Sequence, residues 1–342
     1  MRNPQARLRA FPSVLTHFKS KLPANRLAHH PMAVLGILLM VAVSLVAFYL
    51  FHNVGPRPDF ILPRRTNQLL AMGTVSVAIA YSSILFQTIS GNRILTPGVI
   101  GFESVYMFIQ TVIVFVFSSG HYFVQAVPNY LLSVVLMVLF SLVIYQYMFR
   151  RGGQNIYFLV LIGMVLGTMF GSLTSFMQMV IDPNEFMILQ HRMFLSFNTV
   201  NQPLIVISLL LTGVAIGFSL FFFRYLDVLA LGKEHAISLG VNHGRLSKLF
   251  LVVIAVLVAV STALVGPITF LGVLITNLTY QLVHTYKHRY LVPICMLVTL
   301  ITIVLGQYVI SRIMNFSANL VVIINFVGGV YFIWLLLKER KW

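Results

Sequence analysis

Acidic side chains are scarce in this sequence: Asp and Glu together number seven, against 23 Lys and Arg in 342 residues. Six of them, Asp59, Asp182, Glu185, Asp227, Glu234 and Glu339, fall outside the long apolar stretches, which leaves Glu103 alone within one. Carriers driven by protons or sodium hold ionisable groups deep in the membrane, and this sequence has almost none to offer. One cysteine, Cys295, excludes an intrachain disulfide. Nucleotide chemistry is missing too. The only Gly-Lys pair, Gly232-Lys233, is followed by Glu234 instead of Ser or Thr, and Asp227 stands where a phosphate loop needs its first glycine. No HExxH, no GxSxG and no paired intramembrane carboxylates occur, which argues against a membrane protease, lipase or other hydrolase. Charged residues make up only 9% against 59% hydrophobic, a balance that a soluble domain of this length could not keep in solution.

What the sequence does hold is a succession of ten apolar stretches, each near the ~20 residues that cross a hydrocarbon core of about 30 Å. They lie near 32–51, 67–89, 97–117, 129–149, 155–180, 202–223, 246–264, 267–284, 291–311 and 319–337. Between them, 181–201 has room for an extra short helix that does not span. The expected fold is all-α and polytopic, with about ten transmembrane helices. Pro97 and Pro267 open two of the stretches, where irregular starts are expected because proline suits a helix's first turn. The domain reading is a basic segment 1–31, one transmembrane domain 32–338 with a long loop 224–248, and a tail 339–342.

A formal net charge of +16 raises the question of nucleic acid, but the placement of the charges answers it. Numbering the stretches alternately puts 18 Lys and Arg on one side and five, Arg57, Arg64, Arg65, Arg192 and Arg312, on the other. That asymmetry follows the positive-inside rule with both termini cytoplasmic, and it favours an even number of spans. The partner of the basic charge is lipid and not nucleic acid. Residues 1–31, basic and without an acid, share the pattern of transit peptides and of cytoplasmic tails facing anionic lipid, and the tail is the preferred reading.

Polar groups within the stretches are mostly uncharged, among them Gln110, Thr111, Gln178, Asn277 and Asn325, and their commonest role is pairing with neighbouring helices. Glu103, six residues after Pro97, is expected about 9 Å into its helix, snorkelling or paired with Arg93. The remaining reading places Glu103, Gln110 and Asn277 along a translocation path. Glycines 163, 167 and 171 recur on one helical face and read as a packing stripe. Ten histidines lie in tails or near span ends. His284 and His288 could share a helical face, but a solvated basic loop is the better account, and no metal site is expected.

The most informative loop is RYLDVLALGKEHAISLGVNHGRLSK, residues 224–248. It is long enough for two short helices. Gly232 breaks the chain, Glu234 falls where a helix dipole favours an acid, Gly240 can end that helix, and Asn242 suits the N-cap of the next. Small residues at 236 and 240 suit insertion into a partner's cleft. At these residues the sequence resembles the permeases of ABC importers for iron-siderophore complexes, haem and cobalamin: LGKEHAISLGV is similar to their LGxxxAxxLGV. LPRR at 62–65, TPGVIGFES at 96–104, GPITFLG at 266–272 and SRIMNFSANLVVIINFVGG at 311–329 resemble further family segments in the same order. Thr276, Asn277 and Tyr280 stand where the family carries Pro-His-x-x-Arg, Glu103 where it usually has Ser, and Ile61 where an Arg often precedes LPR.

The resemblance implies a type II ABC importer permease with no catalytic centre and no cofactor of its own. It implies a bacterial cytoplasmic membrane, a separate ATP-binding subunit, an external substrate-binding protein and a second permease chain. The ATPase would be met by Gly232, Glu234, His235, Ala236, Leu239, Gly240 and Asn242. The binding protein would be met by Arg64, Arg65 and Arg312. A ferric siderophore is the implied cargo, with haem or cobalamin as the alternative. The rival from another class is a secondary carrier, which the missing mid-membrane charges disfavour.

Overall fold

The computed structural model describes residues 30–54, 58–117, 121–150, 156–193, 197, 200–312 and 320–339. The basic segment up to residue 29 and residues 340–342 lie outside them. Among the described residues there is no strand. Thirteen α-helices follow in order: α1 (Pro31–Phe51), α2 (Pro58–Ser90), α3 (Phe102–Phe117), α4 (Ala126–Arg150), α5 (Ile156–Val180), α6 (Pro183–Met193), α7 (Gln202–Leu220), α8 (Arg224–Leu229), α9 (Lys233–Ser238), α10 (His243–Val265), α11 (Leu271–Leu282), α12 (His288–Arg312) and α13 (Leu320–Glu339). Seven of these, α1, α2, α4, α5, α7, α10 and α12, contain segments long and apolar enough to cross a membrane. The chain is a multi-pass membrane protein.

Each of the ten apolar stretches meets a helix, and α6 is the short extra one. The three spans that fall short are α3 with 16 residues, α11 with 12 and α13, whose apolar part is Val322–Trp334. The reason is legible for two of them. Pro97–Ile100 is a separate 3-10 turn ended by Gly101 at φ +83°, so α3 starts only at Phe102. Gly266, at φ +88°, ends α10 and leaves residues 266–270 non-helical before α11. The chain thus spends part of each crossing in irregular backbone, which is tolerated where it is buried in protein or lines a cavity. At the other extreme α2 begins at Pro58 instead of near residue 67 and includes Arg64 and Arg65. Its 33 residues extend for about 50 Å, well beyond a hydrocarbon core.

Burial separates the core from the rim. The apolar windows of α2 and α10 are 78% and 72% buried, and that of α1 only 17%. So α2 and α10 pack on each other at the centre, α12 covers α2, and α1 sits outside α12. On the other flank α4 and α7 pack on α10, while α3 packs on α5. Part of the glycine stripe carries that contact. A Cβ on Gly163 would stand 2.6 Å from the Ile100 carbonyl oxygen, and Gly167 lies against Gly101, whereas Gly171 has open space.

Candidate functional site

Three sets of polar side chains interrupt this apolar body. Two of them lie at opposite ends of α2, whose Arg64 and Thr88 are 24 residues and roughly 36 Å apart along the axis.

At the Thr88 end is the loop of α8 and α9. Gly232 at φ +94° turns the chain between them, and Glu234 lies in the first turn of α9. Two bonds close α9: Gly240 N–H donates to the Ile237 carbonyl at 2.9 Å and Val241 N–H to the Ala236 carbonyl at 3.0 Å. This is a Schellman end, which needs the left-handed backbone that Gly240 adopts at φ +77°. Asn242 then caps α10, its side chain accepting from Arg245 N–H at 3.1 Å. The exposed face of the loop carries Leu231, Ile237 and Leu239, 57%, 53% and 62% exposed, beside Glu234 and His235. Ala236, which the sequence offers as a small partner-facing residue, is instead fully buried within the chain. Its smallness lets α9 lie flat on its own protein, and the outward contacts pass to its neighbours.

What holds the loop was not visible in the sequence. Asp227 of α8 accepts on one oxygen from His288 backbone N–H at 2.9 Å and pairs with His288 Nδ1 at 2.6 Å. The other ring nitrogen of His288 meets Thr88 Oγ1 of α2 at 2.8 Å. One imidazole therefore joins the loop to α12 and α2. His288 is the first residue of α12 and residues 283–287 are non-helical, so His284 and His288 do not share a helical face.

At the Arg64 end, a cavity of about 230 Å³ is lined by Arg64, Arg65 and Arg312 with Tyr49, His52 and Tyr308. Arg65 donates to the carbonyls of Tyr49, Leu50, His52 and Asn53 at 3.0, 2.8, 2.8 and 3.3 Å. It thereby caps the C-terminus of α1, whose last carbonyls have no partner within the helix. Arg312 reaches the Asn53 carbonyl at 3.3 Å, and Arg64 is exposed.

The third set lies where the two irregular turns meet. Gly98 packs against Thr269, and the Thr269 hydroxyl donates to the Glu103 carboxylate. Glu103 is thus in the first turn of α3 and bonded to the turn before α11, neither 9 Å along its helix nor paired with Arg93. The depth expected from Pro97 fails because Gly101 restarts the helix count. Arg93 instead lies over the Tyr280 ring, 4.8 Å from its centre. A cavity of about 460 Å³ opens on the other side of Glu103, toward Ser104, Thr174, Gln178 and Gln190. Gln110 is buried between helices, donating to Asn129 and Ser133 of α4 at 2.9 Å each. Asn277 donates to the Val273 and Arg93 carbonyls at 2.9 and 3.3 Å, helping Gln87 to fix the backbone at Arg93. The pairing of Asp227 with His288 and of Thr269 with Glu103 was not foreseen in the sequence, although Asp227 lies in the 224–248 loop, His288 was weighed only with His284, and Thr269 lies in the GPITFLG segment.

The sequence profile of the FecCD transport family matches residues 32–338. The chain belongs to that family. Among FecCD relatives, the petrobactin import system permease protein YclO of Bacillus subtilis is 49% identical over 311 residues, covering 90% of this chain and 98% of that protein. The petrobactin permease FatC of Bacillus anthracis is 32% identical, over 89% of this chain and 88% of FatC. The fold recurs in a solved metal-chelate type ABC transporter in an inward-facing conformation, with a TM-score of 0.76 at 22% identity, covering 90% of this chain and 99% of that one.

Proposed function

We propose that this FecCD permease carries a ferric siderophore of the petrobactin type across a bacterial cytoplasmic membrane. The observation that carries the reading is the 49% identity, nearly end to end, to a permease named for petrobactin import. Relatives named for hemin and vitamin B12 import are 26% and 24% identical, which makes those cargoes the weaker choice.

The chain lacks a nucleotide site, so a separate ATP-binding subunit energises it through the 224–248 loop. Leu231, Ile237 and Leu239 supply an apolar contact there, and Gly232, Glu234, His235 and Gly240 shape and flank it. Ala236 and Asn242 act from within, by seating and capping. The Asp227–His288–Thr88 bonds pass a push on α8 to α12 and α2 together. At the opposite face Arg64 and Arg312 receive a substrate-binding protein, with Arg65 holding that rim together. A second permease chain completes the path. Glu103 borders it at the 460 Å³ cavity, while Gln110 and Asn277 hold its walls. Both termini are cytoplasmic, in accordance with the excess of basic residues on that side.

Deletion of the gene tests the cargo. Growth on ferric petrobactin as sole iron source should fail while growth on ferrous iron continues, and tagged protein from native membrane should bring an ATPase with it. Normal use of every iron source, in a strain without a paralogue, together with failed cobalamin uptake would overturn the cargo and keep the importer class.

A further inference from the structure

We propose that Glu103 and the hydroxyl oxygens around it bind one small monovalent cation, with sodium as the occupant, and that this ion fastens the two irregular turns to each other. The site is a cavity of about 30 Å³ lined by α2, the Thr96–Gly98 turn, the first turn of α3, the end of α10, the Gly266–Thr269 turn and the start of α11. A water-sized sphere needs about 10–15 Å³ of such space, so one ion, with at most one water beside it, fills the cavity and no chelate can enter.

The chemistry of the wall selects the charge. Ser82 donates its proton to the Ile79 carbonyl at 3.2 Å, Ser261 to the Val258 carbonyl at 3.0 Å, and Thr269 to Glu103 itself. These three oxygens present lone pairs and no proton to the cavity, and the hydroxyls of Ser83 and Thr262 line it as well. Thr96, only 1% exposed, lines the same space, and its hydroxyl oxygen has no hydrogen-bond partner in the protein. No Lys, Arg or His lines the cavity to balance the carboxylate. Glu103 is partly buried; a carboxylate so placed without a counter-charge is disfavoured, and a cation ligated by the surrounding oxygens removes that penalty. With oxygen donors alone, the wall suits a hard ion and not zinc or copper. A single carboxylate matches a single positive charge. A larger cavity also borders Glu103.

The consequence is mechanical. Gly98 and Thr269 already touch, a Cβ on Gly98 falling 3.2 Å from the Thr269 methyl carbon. An ion between Glu103, Thr96 and Ser261 ties α3, the Thr96–Gly98 turn and α10 at that same point.

Thermal unfolding of the purified full-length protein in lipid nanodiscs tests this, with sodium chloride compared to choline chloride at equal ionic strength. Saturating sodium should raise the unfolding midpoint by roughly 2–4 °C, as a ligand bound only to the folded state does. Glu103→Gln should abolish the shift, and Thr96→Val should move its midpoint to higher sodium. Equal midpoints of the unaltered protein in the two salts would overturn the proposal, as would a sodium shift that survives in Glu103→Gln. If the midpoint follows pH with no dependence on sodium, a proton occupies the carboxyl and the cation is wrong. Should Glu103→Gln fail to fold, Thr96→Val and Ser261→Ala carry the comparison. Because the readout is stability, it stands apart from the cargo assignment: a failed growth test leaves it untouched.

Discussion

Replacing Asp227 with Ala should loosen the α8–α9 loop from α12 and α2. The side chain accepts two hydrogen bonds on one oxygen, from His288 N–H at 2.9 Å and from His288 Nδ1 at 2.6 Å. His288 is 3% exposed, so its two donors would lose their partner inside the protein, whereas Asp227 itself is 41% exposed. Breaking a fully buried pair costs about 3–5 kcal/mol. Solvent access on the aspartate side, where water can enter and bond to the exposed donors, brings the expectation down to roughly 1–3 kcal/mol. Asp227→Asn keeps an acceptor oxygen and should lie between Ala and the parent. In the assembled importer the functional reading is the ratio of ATP hydrolysed to cargo moved, which should rise in Asp227→Ala as hydrolysis continues without a firm connection. A double-mutant cycle with His288→Gln should give a coupling of at least about 0.5 kcal/mol in thermal or denaturant stability. Additive single and double mutants, with an unchanged ratio of hydrolysis to transport, would refute the view that this pair connects the loop to α12 and α2.

Two contrasts separate structural from contact roles. Arg65→Ala removes the donor to four carbonyls at the end of α1 and should destabilise by about 1–3 kcal/mol in a thermal assay. Arg64→Glu, at an exposed side chain, should leave stability alone and slow association with the binding protein in a salt-dependent way, measured by surface-based kinetics. In the loop, Ala236→Arg forces a cation into a fully buried position and should lower expression and the unfolding midpoint. Leu239→Asp, 62% exposed, should fold normally yet abolish co-purification of the ATPase.

The difference between those two loop residues shows where reading the sequence stops. LGKEHAISLGVN announces a short helix, a glycine end and an N-cap, because each signal acts within four residues of its own backbone. Which side of that helix faces the protein depends on where α9 lands against α10, and only packing decided that Ala236 points in and Leu239 out. Glu103 repeats the lesson. The apolar stretch around it and the proline before it were plain, but the positive φ of Gly101 moved the helix start. Its partner Thr269 is 166 residues away.

The amino-acid sequence by itself determined the solvent, the succession of apolar stretches and the family. All of these follow from hydrophobic run length, local charge and short motifs, which need no knowledge of neighbours in space. The tertiary structure decided the rest: that α2 and α10 form the centre, that Arg65 caps α1, that Asp227 meets His288 across 61 residues, and that a lone carboxylate faces a ring of hydroxyl oxygens. Such pairings join segments of similar composition. Many arrangements would satisfy the bilayer equally, and only close packing, with its short contacts at glycine and its buried polar partners, selects one.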